Sequence, residues 1–209
     1  MAEVSATWLF ESTLDFLKTE SRTLVHKGGT RSSKTWSILE ALIVYGLENP
    51  DTTIDCFRAE RTVVRRTLQQ DLIEILEMFG LYNEAMHQKT EATFLLPSGS
   101  KIRLRGADQS RKLRGAKRDV LYINEAQELP EEAAKQLRLR TKHQIILDYN
   151  PSFEVSQHWI GAQISDTDSG VVKSTYKDNP FLTEKQVQAI EGLVPIYREE
   201  DGTEIEDPN

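Results

Sequence analysis

The chain has 209 residues, of which 38% are hydrophobic and 28% are charged, with 11 Gly and 7 Pro. This composition excludes collagen-like, low-complexity and wholly disordered classes. A single cysteine, Cys56, excludes an internal disulfide, a CxxC redox pair and a Cys/His zinc spacing. No apolar run approaches the ~20 residues of a membrane-spanning helix, and the N-terminal residues carry acid where a signal peptide carries base. We therefore expect an intracellular globular protein.

The charge is unevenly distributed. A net charge of -7 argues against a protein that coats nucleic acid with its whole surface. Basic residues are nevertheless concentrated between residues 101 and 118, whereas residues 198–209 are acidic and lack apolar periodicity. Any contact with nucleic acid is therefore expected to be local, and the acidic tail is interpreted as a linker.

The first half of the chain alternates strand and helix patterns. Apolar residues predict a buried strand from Thr23, and helical spacing predicts a helix over residues 34–45. Residues 52–57 are rich in β-formers, and the apolar residues of 61–79 fall on one helical face, which predicts a second strand and a single second helix. Two alternating pieces around Pro-Ser-Gly-Ser predict a hairpin over residues 92–104.

The second half continues the alternation. Strands are predicted over residues 119–123, 144–149 and 171–176, and helices from Pro130, over 156–164, and over 183–193 with Thr183 as the cap. Strands that are apolar throughout, separated by helices, are typical of parallel sheets. The sequence therefore predicts an α/β fold with a mostly parallel sheet flanked by helices on both faces.

The strongest motif is GGTRSSKT, at the junction of the first strand and its helix. It fits the phosphate-binding loop, except that Ser33 replaces the usual second glycine. In such a loop backbone N–H groups and the lysine bind phosphates, and the threonine ligates Mg²⁺. The alternative is a polar loop that ends in Lys-Thr by chance. The predicted nucleotide-binding residues are Gly28, Gly29, Thr30, Arg31, Ser32, Ser33, Lys34 and Thr35.

A second motif is VLYINEA, an apolar strand that ends in Asn124 and Glu125. Phosphate-loop enzymes place Asp and Glu here, the first to hold Mg²⁺ through its hydration shell and the second to polarise the attacking water. Asn124 keeps the hydrogen-bonding reach but removes a negative charge, so that either metal affinity falls or other carboxylates compensate. The alternative is an ordinary buried strand capped by an exposed acid.

Phosphoryl transfer also needs positive charge at the γ-phosphate, and several arginines are candidates. Arg31 lies in the loop itself, and Arg111 and Arg114 precede the strand that ends in Glu125. A solvated basic face is the alternative for each of them. The basic segment could instead contact DNA phosphates, with weak candidates Lys101, Arg103, Arg105 and Lys117.

Four segments in this order, GGTRSSKT, SRKLRGAKRDVLYINEAQEL, LDYNP and TYKDNPFL, resemble the ATPase domain of phage terminase large subunits. The resemblance covers about Leu24 to Leu193 and implies a P-loop NTPase fold of the ASCE type. It implies that Glu125 is the catalytic glutamate, that Arg114 reaches a neighbour's nucleotide, and that Asn150 is the coupling residue.

The resemblance further implies an ATP- and Mg²⁺-dependent motor that moves double-stranded DNA into a prohead in the host cytoplasm. Its implied partners are the portal protein and the terminase small subunit, and its implied assembly is a homo-oligomeric ring, with a monomer as the alternative for the isolated chain. Residues 1–197 would form the ATPase domain, with a small appendage near 155–197, and 198–209 a linker toward a nuclease domain outside this chain. No nuclease activity is expected here.

Two other functions remain open at this point. One is a helicase or recombination ATPase that shares the P-loop core, which strand separation would distinguish from duplex movement. The other is a nucleotide-dependent assembly module without hydrolysis, which the unusual Asn124 would favour.

Overall fold

The computed structural model describes residues 7–108, 117–151, 155–192, 196–198 and 204–206, the last two ranges as backbone only. Its eight-stranded sheet has the order β3-β4-β5-β2-β6-β7-β1-β8. The strands are β1 Thr23–Gly28, β2 Thr53–Arg58, β3 His87–Gln88, β4 Thr93–Leu95, β5 Lys101–Gly106, β6 Val120–Ile123, β7 Ile145–Tyr149 and β8 Ser169–Ser174. The helices are α1 Trp8–Leu17, α2 Lys34–Glu48, α3 Arg61–Arg66, α4 Leu68–Met78, α5 Glu131–Arg138, α6 Trp159–Ile164 and α7 Glu184–Glu191.

Six neighbouring strands of the sheet are parallel, from β5 through β2, β6, β7 and β1 to β8. The short strands β3 and β4 are antiparallel and form one edge, so that β4 and β5 make the predicted hairpin. The central strands β6 and β7 are buried along their whole length. This arrangement confirms the predicted mostly parallel sheet.

Helices cover both faces of the sheet, because each strand buries alternate side chains on opposite sides. One apolar cluster joins Leu39 of α2 and Leu72 of α4 to Ile146 of β7. The other joins Leu137 of α5 to Leu147, the next residue of β7. The two-sided core confirms the predicted layers.

The predicted helix over residues 61–79 is wrong as a single element. The structure has two helices, α3 and α4, with a break at Thr67, whose φ of -121° and ψ of -88° are not helical. Val64 and Leu68, on either side of the break, are both buried. The apolar face continues across the break, and periodicity therefore does not reveal it.

The last predicted strand is displaced by two residues. β8 begins at Ser169 because its pairing with β1 begins there, opposite Thr23. Thr175, predicted to be in the strand, instead caps a 3₁₀ turn over residues 176–178 through a capping box with Asp178.

Beyond the main sheet, residues 196–198 and 204–206 pair as an antiparallel two-stranded unit, β9 Ile196–Arg198 and β10 Glu204–Glu206. These strands fall at and within the segment predicted as an acidic linker, and the domain boundary at residue 197 stays a prediction. Among the described residues, none of the helices combines the length and the apolar character that crossing a bilayer requires.

Candidate nucleotide site

The candidate site lies at the carboxyl ends of three adjacent parallel strands. Because β6, β7 and β1 are neighbours in the sheet, the residues that follow them are brought together. They line a cavity of about 520 Å³, whose walls include loop residues 29–35, Glu125 and Asn150. The loop predicted to bind phosphate, the predicted catalytic glutamate and the asparagine predicted to couple hydrolysis to movement therefore share one cavity.

The backbone of the loop explains its small residues. Gly28 lies against β8, and a Cβ atom there would come within 2.4 Å of Ser174 Oγ. Ser33 has a left-handed φ of 62°, which glycine adopts without strain and which serine adopts here immediately before α2. Its Oγ is buried and has no hydrogen-bond partner among the described residues. Ser33 thus fits the glycine position and adds a polar atom to the loop.

Lys34 is the first residue of α2, and its side chain folds back over the loop. Nζ has four acceptors within hydrogen-bonding distance, which its three hydrogens share: Gly28 O at 2.6 Å, Gly29 O at 3.0 Å, Ser32 Oγ at 3.3 Å and Asn150 Oδ1 at 3.1 Å. Burial lowers the pKa of Lys34, while the negative charges of Asp148 and Glu125 oppose that shift. The ammonium group is thus held at the centre of the loop.

Glu125 follows β6 in a left-handed conformation with a φ of 50°. Its Oε2 accepts from Gln127 Nε2 at 2.6 Å, and its two carboxylate oxygens accept from Asn150 Nδ2 at 3.3 and 3.1 Å. Burial raises the pKa of Glu125, and the charge of Asp148 raises it further, whereas Gln127 and the cations Arg58 and Lys34 oppose the rise. A carboxylate with a raised pKa that faces the cavity is suited to accept a proton.

Asn150 connects the two groups. Its Oδ1 accepts from Lys34 and its Nδ2 donates to Glu125, so that one amide bridges the loop and the end of β6. The amide orientation is the one that this pair of partners requires, because an ammonium can only donate and an ionised carboxylate can only accept. The position predicted to couple the nucleotide to movement therefore contacts both predicted reactive groups.

Asn124 lies deeper than the other predicted residues and is almost fully buried. Its Nδ2 has four acceptors within hydrogen-bonding distance, which its two hydrogens share: Thr35 Oγ1 at 3.2 Å, Tyr122 OH at 3.1 Å and both carboxylate oxygens of Asp148. Burial raises the pKa of Tyr122 well above its usual value, as does the nearby Asp148, so the phenol keeps its proton and donates it to Asp148.

Asp148 was not predicted as a site residue. The sequence signal is an acid near the end of an otherwise apolar strand, and a strand-end acid alone does not distinguish a site from a solvent-exposed cap.

The predicted arginines are only partly described. Arg31 is exposed, its φ of 67° is left-handed, and its carbonyl accepts from Asn179 Nδ2 at 2.9 Å. Arg111 and Arg114 lie outside the described residues. Asn179 also lines the cavity and belongs to the TYKDNPFL segment, to which sequence reasoning assigned no role in the site.

The predicted DNA-contacting residues differ in their exposure and in their partners. Lys101 and Lys117 are exposed, and Arg105 is half-buried. Arg103 instead makes a two-pronged ion pair with Asp55, at 2.5 and 2.9 Å. Its guanidinium group is thereby engaged in the fold, and a DNA contact through Arg103 stays a prediction.

Comparison with known proteins gives the family. The family model described as phage terminase large subunit matches residues 20–201. No curated protein sequence matches the chain significantly.

Several solved structures share the fold. The large terminase of a thermophilic bacteriophage has a TM-score of 0.78 and 12% identity, over 96% of this chain and 52% of its own. That protein has also been solved with ADP and with ATP-gamma-S. The large terminase ATPase domain of Thermus phage P74-26 has a TM-score of 0.54 and 15% identity, over 86% of this chain and 85% of its own. The HK97 bacteriophage large terminase has a TM-score of 0.60 and 10% identity, over 90% of this chain and 42% of its own.

This chain spans about half the length of the first of these large terminases. At such identities the structural matches show the fold, and they confirm the predicted P-loop NTPase architecture of the ASCE type. The family assignment rests on the sequence match, which covers most of the chain. The chain therefore belongs to the phage terminase large subunit family.

Proposed function

We propose that this chain is the ATPase domain of a DNA-packaging terminase, which binds MgATP and couples its hydrolysis to movement of double-stranded DNA into a prohead. The observation that carries the proposal is the bridge from Lys34 through Asn150 to Glu125 in one cavity. A phosphate-binding lysine, a sensor of the γ-phosphate and a base for water are the parts that nucleotide hydrolysis requires.

The loop and the start of α2 would bind the nucleotide. Main-chain N–H groups at a helix N-terminus favour phosphate, and Lys34 adds a full positive charge. Lys34 donates to the Gly28 and Gly29 carbonyl oxygens. A bound triphosphate would take those hydrogen bonds instead. A related large terminase that binds ADP and ATP-gamma-S supports the same ligand here.

The residues present fit Mg²⁺ bound together with a nucleotide. The described residues contain no group of three or more His, Cys, Asp or Glu side chains that could hold a metal alone. Magnesium in ATPases is usually bound by few protein oxygens plus substrate phosphates and water, which suits the Thr35 hydroxyl with Asn124 reached through water. When bound, the ion neutralises negative charge on the phosphate oxygens.

Hydrolysis would use Glu125 as the base. Glu125 accepts a proton as the water oxygen bonds to the γ-phosphorus, and the bond from that phosphorus to the ADP oxygen breaks. Loss of the γ-phosphate would leave the amide of Asn150 between altered charges, because it contacts both Lys34 and Glu125. A shift of that amide would pass the change to the strand end of β7.

The wider assembly is part of the proposal. DNA contact would be local, through exposed cations such as Lys101 and Lys117, because the chain is acidic overall. We infer a ring docked on a portal protein in the host cytoplasm, with a small subunit that recognises DNA and with Arg114 completing a neighbour's site. Mixing Arg114→Ala with a Glu125 variant tests the last point, and rescued activity is expected if the arginine acts in trans.

The central test separates binding from chemistry. Glu125→Ala should bind a fluorescent ATP analogue as tightly as the unmodified chain, because the carboxylate does not bind phosphate, and phosphate release should fall at least a hundredfold. The matched control is Glu132→Ala, in the exposed first turn of α5, which should change neither. Equal phosphate release by Glu125→Ala would remove Glu125 from the proposed role.

Asn124 favours a second candidate, a nucleotide-dependent assembly module that does not hydrolyse ATP. Calorimetric titration with ATP beside a phosphate-release assay distinguishes the two functions. Tight binding without release in the presence of DNA and portal would support the module and exclude the motor.

A further inference from the structure

Deepening the proposed function, on which it rests, we propose that Asp148 supplies from β7 the carboxylate charge that the end of β6 lacks at Asn124. Thr35, Tyr122, Asn124 and Asp148 then form one polar cluster that serves the bound metal and nucleotide. Asp148 is a positioning residue here, because it acts through the Thr35 hydroxyl, the Asn124 amide and the main chain of Glu125.

Strand register places the two residues side by side. β6 and β7 are parallel with Ile123 opposite Leu147, so that Asn124 and Asp148 are the next pair along the strands. The Asn124 amide nitrogen lies 3.2 and 3.0 Å from the two Asp148 oxygens. The Asp148 carboxylate therefore lies within hydrogen-bonding distance of the side chain at position 124, where phosphate-loop enzymes usually carry an aspartate.

The contacts of Asp148 are those of an ionised carboxylate. The residue is 1% exposed. Oδ1 accepts from Glu125 N at 2.6 Å, and Oδ2 accepts from Tyr122 OH at 2.6 Å and from Thr35 Oγ1 at 3.4 Å. Among the described residues, each of these hydrogen bonds comes from a neutral donor, and the carboxylate acts only as an acceptor in them.

The Thr35 hydroxyl is oriented by this cluster. It donates its only hydrogen to Asp148 and accepts one hydrogen from Asn124. A hydroxyl oxygen has two lone pairs, so one remains for a cation. Asp148 thus orients the Thr35 hydroxyl, which is the predicted magnesium ligand, and places a carboxylate next to it.

The same geometry explains the amide at position 124. An aspartate there would place a second buried carboxylate about 3 Å from Asp148, and two such groups do not both ionise readily. Asparagine donates to Asp148 instead of repelling it. One carboxylate for the pair is therefore the arrangement with the lowest electrostatic cost.

The test moves the charge between the two strands. The variants are Asp148→Asn, which removes it, and Asn124→Asp with Asp148→Asn, which returns it to β6. The readout is the Mg²⁺ concentration needed for binding of a fluorescent ADP, with binding in EDTA as the metal-free reference, and it does not depend on activity. Thermal unfolding reports folding of each variant.

We expect Asp148→Asn to need at least about tenfold more Mg²⁺, with metal-free ADP binding unchanged, because loss of an outer-shell partner weakens metal sites by this amount. The double variant should return to within about threefold of the unmodified chain. The matched control is Asp119→Asn, at the other end of β6 and roughly 16 Å away, which should not change the Mg²⁺ requirement.

The outcomes distinguish failure of the proposed role of Asp148 from failure of the proposed ATPase function. An unchanged Mg²⁺ requirement in a folded Asp148→Asn variant overturns the role of Asp148 and leaves the proposed ATPase standing. If Asp148→Asn does not fold, the test rests on the double variant. A folded double variant whose ADP binding no longer depends on Mg²⁺ also overturns the proposal. Failure of the unmodified chain to bind ADP at any Mg²⁺ concentration contradicts the proposed function itself.

Discussion

Asp55 and Asp148 are both buried carboxylates of the same sheet, but their surroundings differ. Asp55, in β2, is 0% exposed and pairs with two guanidinium groups, those of Arg103 and Arg118. Asp148, near the end of β7, accepts from neutral donors within the described part of the chain. The Asp55 charge is balanced by guanidinium groups within the fold, whereas the Asp148 carboxylate lies behind Thr35, a residue that lines the cavity. A buried carboxylate with neutral donors at a strand end is therefore the better candidate for function.

The Asp55 cluster should show the largest effect on stability. Asp55→Ala leaves Arg118 buried without its carboxylate, which is expected to cost about 3–5 kcal/mol of unfolding free energy. Urea unfolding measures the loss, and Glu132→Ala serves as the surface control with a change within about 0.5 kcal/mol. An unchanged unfolding free energy in Asp55→Ala would show that Asp55 is not the structural carboxylate of this comparison.

Lys34 tests the other part of the comparison, the cavity beside Asp148 as a nucleotide site. Lys34→Ala should weaken binding of a fluorescent ATP analogue about a hundredfold, because truncating one charged partner of a phosphate costs roughly 2–5 kcal/mol. It should unfold near the midpoint of the unmodified chain. Lys135→Ala, in the last turn of α5, is the control. Unchanged nucleotide affinity would exclude the loop as the phosphate site.

His26, opposite Asp148 in the pairing of β1 and β7, gives a pH-dependent effect on stability. Burial lowers the pKa of His26 to about 3, with a smaller contribution from Lys34. The unfolded chain, with a pKa near 6.5, binds a proton that the folded chain does not, so stability is complete at higher pH and falls as the pH drops below 6.5 toward 3.

The expected loss from this histidine is about 2 kcal/mol between pH 8 and pH 5. Urea unfolding at both pH values measures it. His26→Gln should lack that part of the pH dependence, whereas His143→Gln, at an exposed position, should retain it. A His26→Gln variant with the same pH dependence as the unmodified chain would contradict this origin.

Sequence patterns predicted the elements that local periodicity encodes. The buried strands, the hairpin and the loop before α2 are confirmed, because each depends on residues that are close together in the sequence. The break at Thr67 was missed because Val64 and Leu68 stay on one apolar face across it. Among the site residues, Lys34, Glu125 and Asn150 were predicted separately, and their bridge was visible only once the strands were ordered.

The sequence by itself determined that a loop with the pattern of a phosphate-binding loop joins a buried strand to a helix, and that a parallel sheet would bring strand ends to one edge. Only the tertiary structure decided which strands are neighbours. That order puts Asp148 beside Asn124 and Arg103 beside Asp55. The physical reason is that a residue's charge partner is set by strand pairing, which joins segments far apart in the chain, whereas a sequence pattern reports only local spacing.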